Sequence, residues 1–175
     1  EDFTDLTPDG IIDESSDNFL SPTPDGLLTW RDNLREALVT LNSLFRSVGI
    51  MDIDANADST DFDASQIHFV GHSGGAIVDA ALPALTDDLV TVNLATPGAG
   101  LVNLIAASDV EEGFGFIFAA LKAGLLQQGV LPNSATYNNY LRDMQNILNA
   151  GDPISYLAKS RSNPVPIFGT IVNTD

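Results

Sequence analysis

The chain has 175 residues, of which 44% are hydrophobic, a proportion typical of a globular domain with its own core. Its 24 acidic and 7 basic residues give a formal net charge of −17, which argues against nucleic-acid binding because phosphates would repel it. The absence of cysteine excludes disulfide bonds, and no run of about 18 or more uncharged apolar residues predicts a membrane span.

The first segment, residues 1–28, is acidic and rich in turn-forming residues. Asp5, Thr7 and Asp9 occupy the first alternate positions of an EF-hand-like calcium loop. Position twelve of that loop would be Ser16 instead of a bidentate Glu, and Pro-Asp-Gly is a strong turn signal. We therefore favour a surface turn over a calcium site in this segment.

The clearest helix is predicted over residues 29–48, where apolar side chains recur at helical spacing. Thr29 is a suitable N-cap with Asp32 three residues later, and Gly49 is a suitable C-terminal glycine. We expect this helix to cover one face of a sheet.

A second acidic stretch, residues 52–63, has the spacing of a calcium-binding loop. Ala57 stands where such loops have a turn glycine, which is unfavourable at a left-handed position. A structural calcium and a solvated acidic connector both remain open, and no cofactor is expected for catalysis. The predicted calcium ligands are Asp52, Asp54, Asn56, Asp58, Thr60 and Asp63.

A Gly-x-Ser-x-Gly motif lies in the middle of the chain, at residues 71–75. The short apolar run before it, residues 66–70, predicts a strand, and residues 76–82 after it are compatible with a helix. A strand, this motif and a helix together are typical of the nucleophile elbow of an α/β-hydrolase. The pattern predicts that Ser73 is a nucleophile.

The glycines of the motif have a physical reason. We expect Gly71 and Gly75 where the strand and the following helix crowd together. The backbone N–H of Gly74 is a candidate oxyanion donor, and the N-terminus of the helix favours negative charge there.

Two more strands are predicted, over residues 89–95 and 164–172. The turn at residues 96–100 follows the first of these, and ligands bind at the carboxyl ends of strands in open parallel sheets. Pro97 in this turn and His72 in the elbow are therefore predicted to contact substrate.

Residues 101–160 carry helical patterns with little strand signal, including an amphipathic segment at residues 137–148. A long helical insertion between two strands is a common place for a lid. Phe114, Phe116 and Phe118 are predicted to line a substrate cleft, although aromatic residues at helical spacing also fit plain core packing.

Five segments, agreeing in order and spacing, resemble the bacterial extracellular lipases and lysophospholipases of the Pla-1/cef type. The resemblance runs from about residue 13 to the end of the chain. One departure is the elbow, where the family has Gly-His-Ser-Leu-Gly-Gly and this chain lacks the Leu. The segments are residues 30–36, 52–63, 67–75, 96–100 and 151–156.

The resemblance implies an α/β-hydrolase fold across the chain, with a mostly parallel sheet flanked by helices and a helical lid at residues 101–160. It implies that Ser73 attacks lipid or carboxylic esters. It further implies an extracellular or cell-surface location and peripheral contact with a lipid interface.

The resemblance also implies that the chain is the central section of a larger enzyme. The triad order in this superfamily is Ser, acid, His, whereas His68 and His72 both precede Ser73. The base would then come from remaining segments of the same enzyme, and Asp175 is a candidate acid.

Other functions share these features. A serine peptidase or a polyester hydrolase would have the same elbow. A non-catalytic, calcium-stabilised surface or binding module with a decayed hydrolase fold is the alternative from another class, favoured by the acidic loops and the missing histidine.

Overall fold

The computed structural model describes residues 24–54, 61–108 and 114–170. Short 3₁₀ turns occur at Val48–Ile50, Leu82–Ala84, Phe114–Phe118 and Pro153–Ser155. The helices and strands are, in chain order, α1 (Pro24–Ser47), β1 (His68–His72), α2 (Gly74–Asp79), β2 (Thr91–Ala95), α3 (Leu101–Ala107), α4 (Ala119–Gln127), α5 (Ala135–Leu148), α6 (Leu157–Ser162) and β3 (Ile167–Thr170).

The described strands form one small parallel sheet in the order β1-β2-β3. In β1 and β2, His68 pairs with Thr91 and His72 with Ala95, while Leu94 of β2 pairs with Gly169 of β3. Helical segments connect each pair of strands, as parallel strands require. The protein is therefore mixed α/β, with a three-stranded parallel sheet flanked by helices.

The chain divides into two compact units. The sheet unit comprises Leu34–Gly100 and Gly151–Asp175, and it holds all three strands. The helical unit comprises Glu1–Asn33 and Leu101–Ala150, where α3 packs against α5.

The core of the sheet unit lies between α1 and one face of the sheet. Val92 and Leu94 alternate along β2 and are buried, together with Leu38 and Phe45 of α1. The ring of Phe45 meets that of Phe69 edge-on, with centroids 6.2 Å apart and an interplanar angle of 71°. Burial of these side chains supplies the hydrophobic free energy that holds α1 on the sheet.

In the helical unit, α5 has a clear apolar stripe. Tyr137, Leu141, Met144 and Leu148 are buried at helical spacing, and the Ser134 side chain caps the helix by accepting from the Tyr137 N–H. By contrast, the apolar residues of α4 do not follow one face, and none of its residues is buried.

The boundaries of the first helix differ from the prediction. The helix begins at Pro24, so Thr29 lies inside it and does not cap it. Proline suits the first turn of a helix because its missing N–H has no intrahelical partner there. At the other end, Gly49 lies in the 3₁₀ turn that follows α1.

The predicted strands are present but shorter or shifted. The strand predicted at residues 66–70 is β1, displaced by two residues, and α2 ends at Asp79 instead of residue 82. The loop predicted to be a turn around residues 5–13 lies outside the described residues. Among the residues described, no helix is long and apolar enough to cross a membrane.

Candidate functional site

Ser73 occupies a conformation that L-residues rarely adopt. Its backbone angles are φ 51° and ψ −118°, between the last residue of β1 and the first of α2. Its N–H donates to the Ala95 carbonyl at 3.0 Å, and its own carbonyl accepts from the Ile77 N–H at 2.9 Å. Strained backbone at such a position persists only where the surrounding structure holds it, and such residues concentrate at functional sites.

Gly71 is the glycine that permits this turn. A Cβ at Gly71 would lie 3.0 Å from the backbone of Ala76 and from the Gly75 carbonyl oxygen, so the strand approaches α2 too closely for a side chain. The expected crowding at Gly75 is wrong, because a Cβ there would meet only an Asp79 carboxylate oxygen at 3.8 Å. The predicted crowding is therefore real at Gly71 alone.

The residues of the elbow are partly open to solvent. Ser73 is half-buried and stands at the N-cap position of α2, but its side chain makes no capping hydrogen bond. Gly74 is exposed, and a Cβ at Gly74 would meet nothing within 4 Å. The Ser73 hydroxyl is thus not used to hold the helix, and the surface beside Gly74 is open.

The turn after β2 is fixed at both ends. Thr96 has φ 57°, and its N–H donates to the Thr170 carbonyl at 2.8 Å. Gly100 has φ 69°, and its N–H donates to the Asp152 carboxylate at 2.9 Å, as does the Ile154 N–H. Asp152 is fully buried, and sequence reasoning missed its role. The sequence signal for this role is an Asp directly before a proline, a pair that is typical of the N-terminal cap of a helical turn.

Both histidines lie on β1, and no hydrogen bond joins either of them to Ser73 among the described residues. His68 is five residues before Ser73 at the start of the strand, and its Nδ1 lies 2.9 Å from the Thr91 hydroxyl. His72 is exposed at the carboxyl end of the strand, and its predicted contact with substrate stays a prediction. Asp175, the candidate acid, lies outside the described residues.

Asp79 at the end of α2 is a buried carboxyl that sequence reasoning also missed. It is 5% exposed, its Oδ1 has no hydrogen-bond partner in the described part of the chain, and burial raises its pKa to about 6. The available signal was an acidic residue inside the apolar segment 76–82. An unpaired buried carboxyl is destabilising when ionised.

The predicted substrate-contacting side chains are divided between the two units. Pro97 lines an apolar groove in the sheet unit. Phe118 is fully buried, which fits core packing, whereas Phe116 is 59% exposed. The side chain of Phe114 lies outside the description, and the substrate contacts of Phe116 and Phe118 stay predictions.

The acidic stretch brings three carboxylates together. One oxygen each from Asp52, Asp54 and Asp61 lies within 4.8 Å of the others, and all three residues are exposed. Asp61 was not among the predicted ligands. Asp63 was, but its carboxylate instead accepts from the backbone and hydroxyl of Ser65, which lowers its pKa. The predicted ligands Asn56, Asp58 and Thr60 lie outside the described residues.

No protein-family model, no curated protein and no solved structure matches the chain. The case for its chemistry therefore rests on the residues and geometry around Ser73.

Proposed function

We propose that the protein is a serine hydrolase of lipid or carboxylic esters with an α/β-hydrolase fold, in which Ser73 forms an acyl-enzyme. The observation that carries the proposal is the backbone of Ser73, held at φ 51° and ψ −118° between a parallel strand and a helix. A hydroxyl on such a turn is lifted clear of its neighbours and can approach an acyl carbon.

The surroundings of Ser73 fit acyl transfer. The exposed backbone of Gly74 follows the nucleophile, as the first donor of an oxyanion hole does in this mechanism. Ser73 itself is tied through its N–H to the end of β2, which limits its movement during attack. The tetrahedral intermediate would be stabilised by the Gly74 N–H and by one donor from another loop.

A serine needs a general base to attack an ester at neutral pH. Because both histidines precede Ser73 on β1, the proposal assigns the base to a histidine on a polypeptide segment outside these 175 residues. An acid following β3 would orient that histidine, and Asp175 remains the candidate within this sequence.

The lipid part of the proposal is supported by α4. This helix has no buried residue, although Lys122 is its only charged side chain. Leu126 is 53% exposed, and Leu121 and Leu125 are half-buried, so α4 presents an apolar surface of the kind that a lipid surface would cover. The extracellular or cell-surface location belongs to the same proposal and rests on the family resemblance.

A calcium-stabilised module without catalytic activity is the second candidate. It is favoured by the convergence of Asp52, Asp54 and Asp61, because clustered carboxylate oxygens suit calcium. Calcium bound there would also stabilise the proposed hydrolase, so calcium binding alone does not separate the two functions.

Hydrolysis of p-nitrophenyl esters and of lysophosphatidylcholine by the full-length native protein tests the proposal. Ser73→Ala should abolish turnover with an unchanged circular-dichroism spectrum. Ser65→Ala is the matched control, because Ser65 is exposed and its hydroxyl donates to Asp63. Hydrolysis that survives Ser73→Ala would refute the proposed nucleophile.

A further inference from the structure

Thr96, the first residue after β2, has a backbone conformation that a β-branched residue rarely adopts. Its φ of 57° lies in the left-handed region, which glycine and asparagine enter at much lower cost. Among the described residues, a positive φ outside glycine occurs only at Ser73, Thr96 and Asn133. Strained residues of this kind persist where neighbouring contacts hold them. Thr96 is therefore held by specific contacts, as Ser73 is.

Thr96 and Ser73 share one hydrogen-bond acceptor, the carbonyl oxygen of Ala95. The Ser73 N–H donates to it at 3.0 Å, and the Thr96 hydroxyl donates to it at 2.7 Å. On its other side Thr96 is anchored to β3, because its N–H donates to the Thr170 carbonyl oxygen at 2.8 Å. Ala95 itself pairs in register with His72 and with Thr170. The peptide between Ala95 and Thr96 therefore links the elbow to the carboxyl end of β3.

We propose that Thr96 is a positioning residue for the nucleophile: its hydroxyl orients the Ala95 carbonyl, and that carbonyl holds the backbone of Ser73. A carbonyl oxygen has two lone pairs, and two donors meet this one. Loss of the hydroxyl would remove one of the two restraints on rotation of the peptide plane. The inference rests on the proposed function, since the position of Ser73 affects turnover only if Ser73 attacks the substrate.

A local role for the Thr96 hydroxyl is the competing explanation. The hydroxyl bonds to the carbonyl of the residue directly before it, and bonds of this kind also stabilise turns on their own. A local role predicts a loss of overall stability without a specific effect on Ser73. Positioning predicts a slower chemical step and a less protected Ser73 amide, because a small misplacement of a reacting group slows the reaction even when binding is unchanged.

Steady-state hydrolysis of p-nitrophenyl esters by the full-length native protein tests the positioning role. Thr96→Val keeps the branched shape without the hydroxyl, and it should lower kcat about tenfold, the equivalent of one neutral hydrogen bond, with KM unchanged. Thr96→Ser keeps the hydroxyl and should retain the wild-type kcat. Thr91→Val is the matched control, because it removes a hydroxyl at the opposite end of β2, where the partner is His68. Equal kcat for Thr96→Val and Thr91→Val would overturn the proposal.

Amide hydrogen exchange measures the same link without any activity. Exchange at the Ser73 N–H should rise about tenfold in Thr96→Val and stay at the wild-type rate in Thr96→Ser and Thr91→Val. The Val92 N–H, which donates to the Pro166 carbonyl oxygen, is the internal reference, because a general loss of stability would raise exchange at both amides. If exchange at Ser73 rises but the wild type hydrolyses no ester, the proposed function fails while the link from Thr96 to Ser73 stands. An active wild type with unchanged exchange and kcat in Thr96→Val would refute the positioning role alone.

Discussion

The substitution Gly71→Ala tests the account of the elbow most closely. The new methyl group would lie 3.0 Å from three backbone atoms, Ala76 Cα, Ala76 N and the Gly75 carbonyl oxygen. Favourable carbon contacts lie at about 3.5–4.0 Å, and backbone cannot move aside as a flexible side chain can. Overpacking of this kind costs about 1–3 kcal/mol of folding free energy. We expect a loss of about 2 kcal/mol, about thirtyfold in the unfolding equilibrium constant.

Gly74→Ala is the matched control, because a Cβ at Gly74 meets nothing within 4 Å. It should leave stability unchanged or raise it by up to about 1 kcal/mol through the unfolded chain. Urea unfolding followed by circular dichroism at 222 nm measures both variants. If Gly71→Ala and Gly74→Ala are equally stable, the close approach of β1 to α2 is wrong, and with it the reason for the conformation of Ser73.

Three further predictions concern other parts of the chain. The pKa of Asp79 is raised from 3.8 to about 6 in the fold, so its proton-linked stability is complete below about pH 3.8 and is lost as the pH rises through about 6. Asp79→Asn should therefore be more stable than the wild type by up to about 3 kcal/mol at pH 8, and no more stable at pH 4. Urea unfolding at both pH values measures this, and an equal difference in unfolding free energy at the two pH values would contradict it. Calcium at about a hundredfold its Kd should stabilise the protein by about 2.7 kcal/mol in thermal melts. Asp61→Asn should lose that response and Asp63→Asn should keep it; the opposite pattern would exclude the cluster as the site. Leu126→Gln should reduce flotation of the protein with phosphatidylcholine vesicles. Leu44→Gln is the control and should not reduce it, because Leu44 is exposed to a similar extent (46%, against 53% for Leu126) but lies on α1. Equal flotation of the two variants would argue against α4 as the lipid-binding surface.

The sheet and the elbow were predictable because their signals are local. Strand, glycine, serine, glycine and helix follow one another within residues 66–82. That order predicted crowding at both Gly71 and Gly75, and only Gly71 shows it. The parallel strands β2 and β3 were likewise visible as short apolar runs. The ends of the helices and strands were less predictable. The start of α1 at Pro24 depends on backbone conformation, which the spacing of apolar residues does not reveal.

The remainder of the site depends on contacts between distant residues. Asp152 accepts a hydrogen bond from Gly100, 52 residues away in sequence, and no local pattern predicts that pairing. Asp61 lies close to Asp52 and Asp54 although it holds no ligand position of an ideal loop, whereas counting positions along such a loop selected Asp63.

The central claim is that Ser73 is an activated nucleophile. Treating the full-length native protein with a fluorophosphonate and locating the adduct by mass spectrometry tests it most directly, since these reagents react with serines that a base has activated. The account predicts a covalent adduct on Ser73 that Ser73→Ala removes and Ser65→Ala retains. An unlabelled protein, or an adduct on another serine, would contradict the account and favour the calcium-stabilised module.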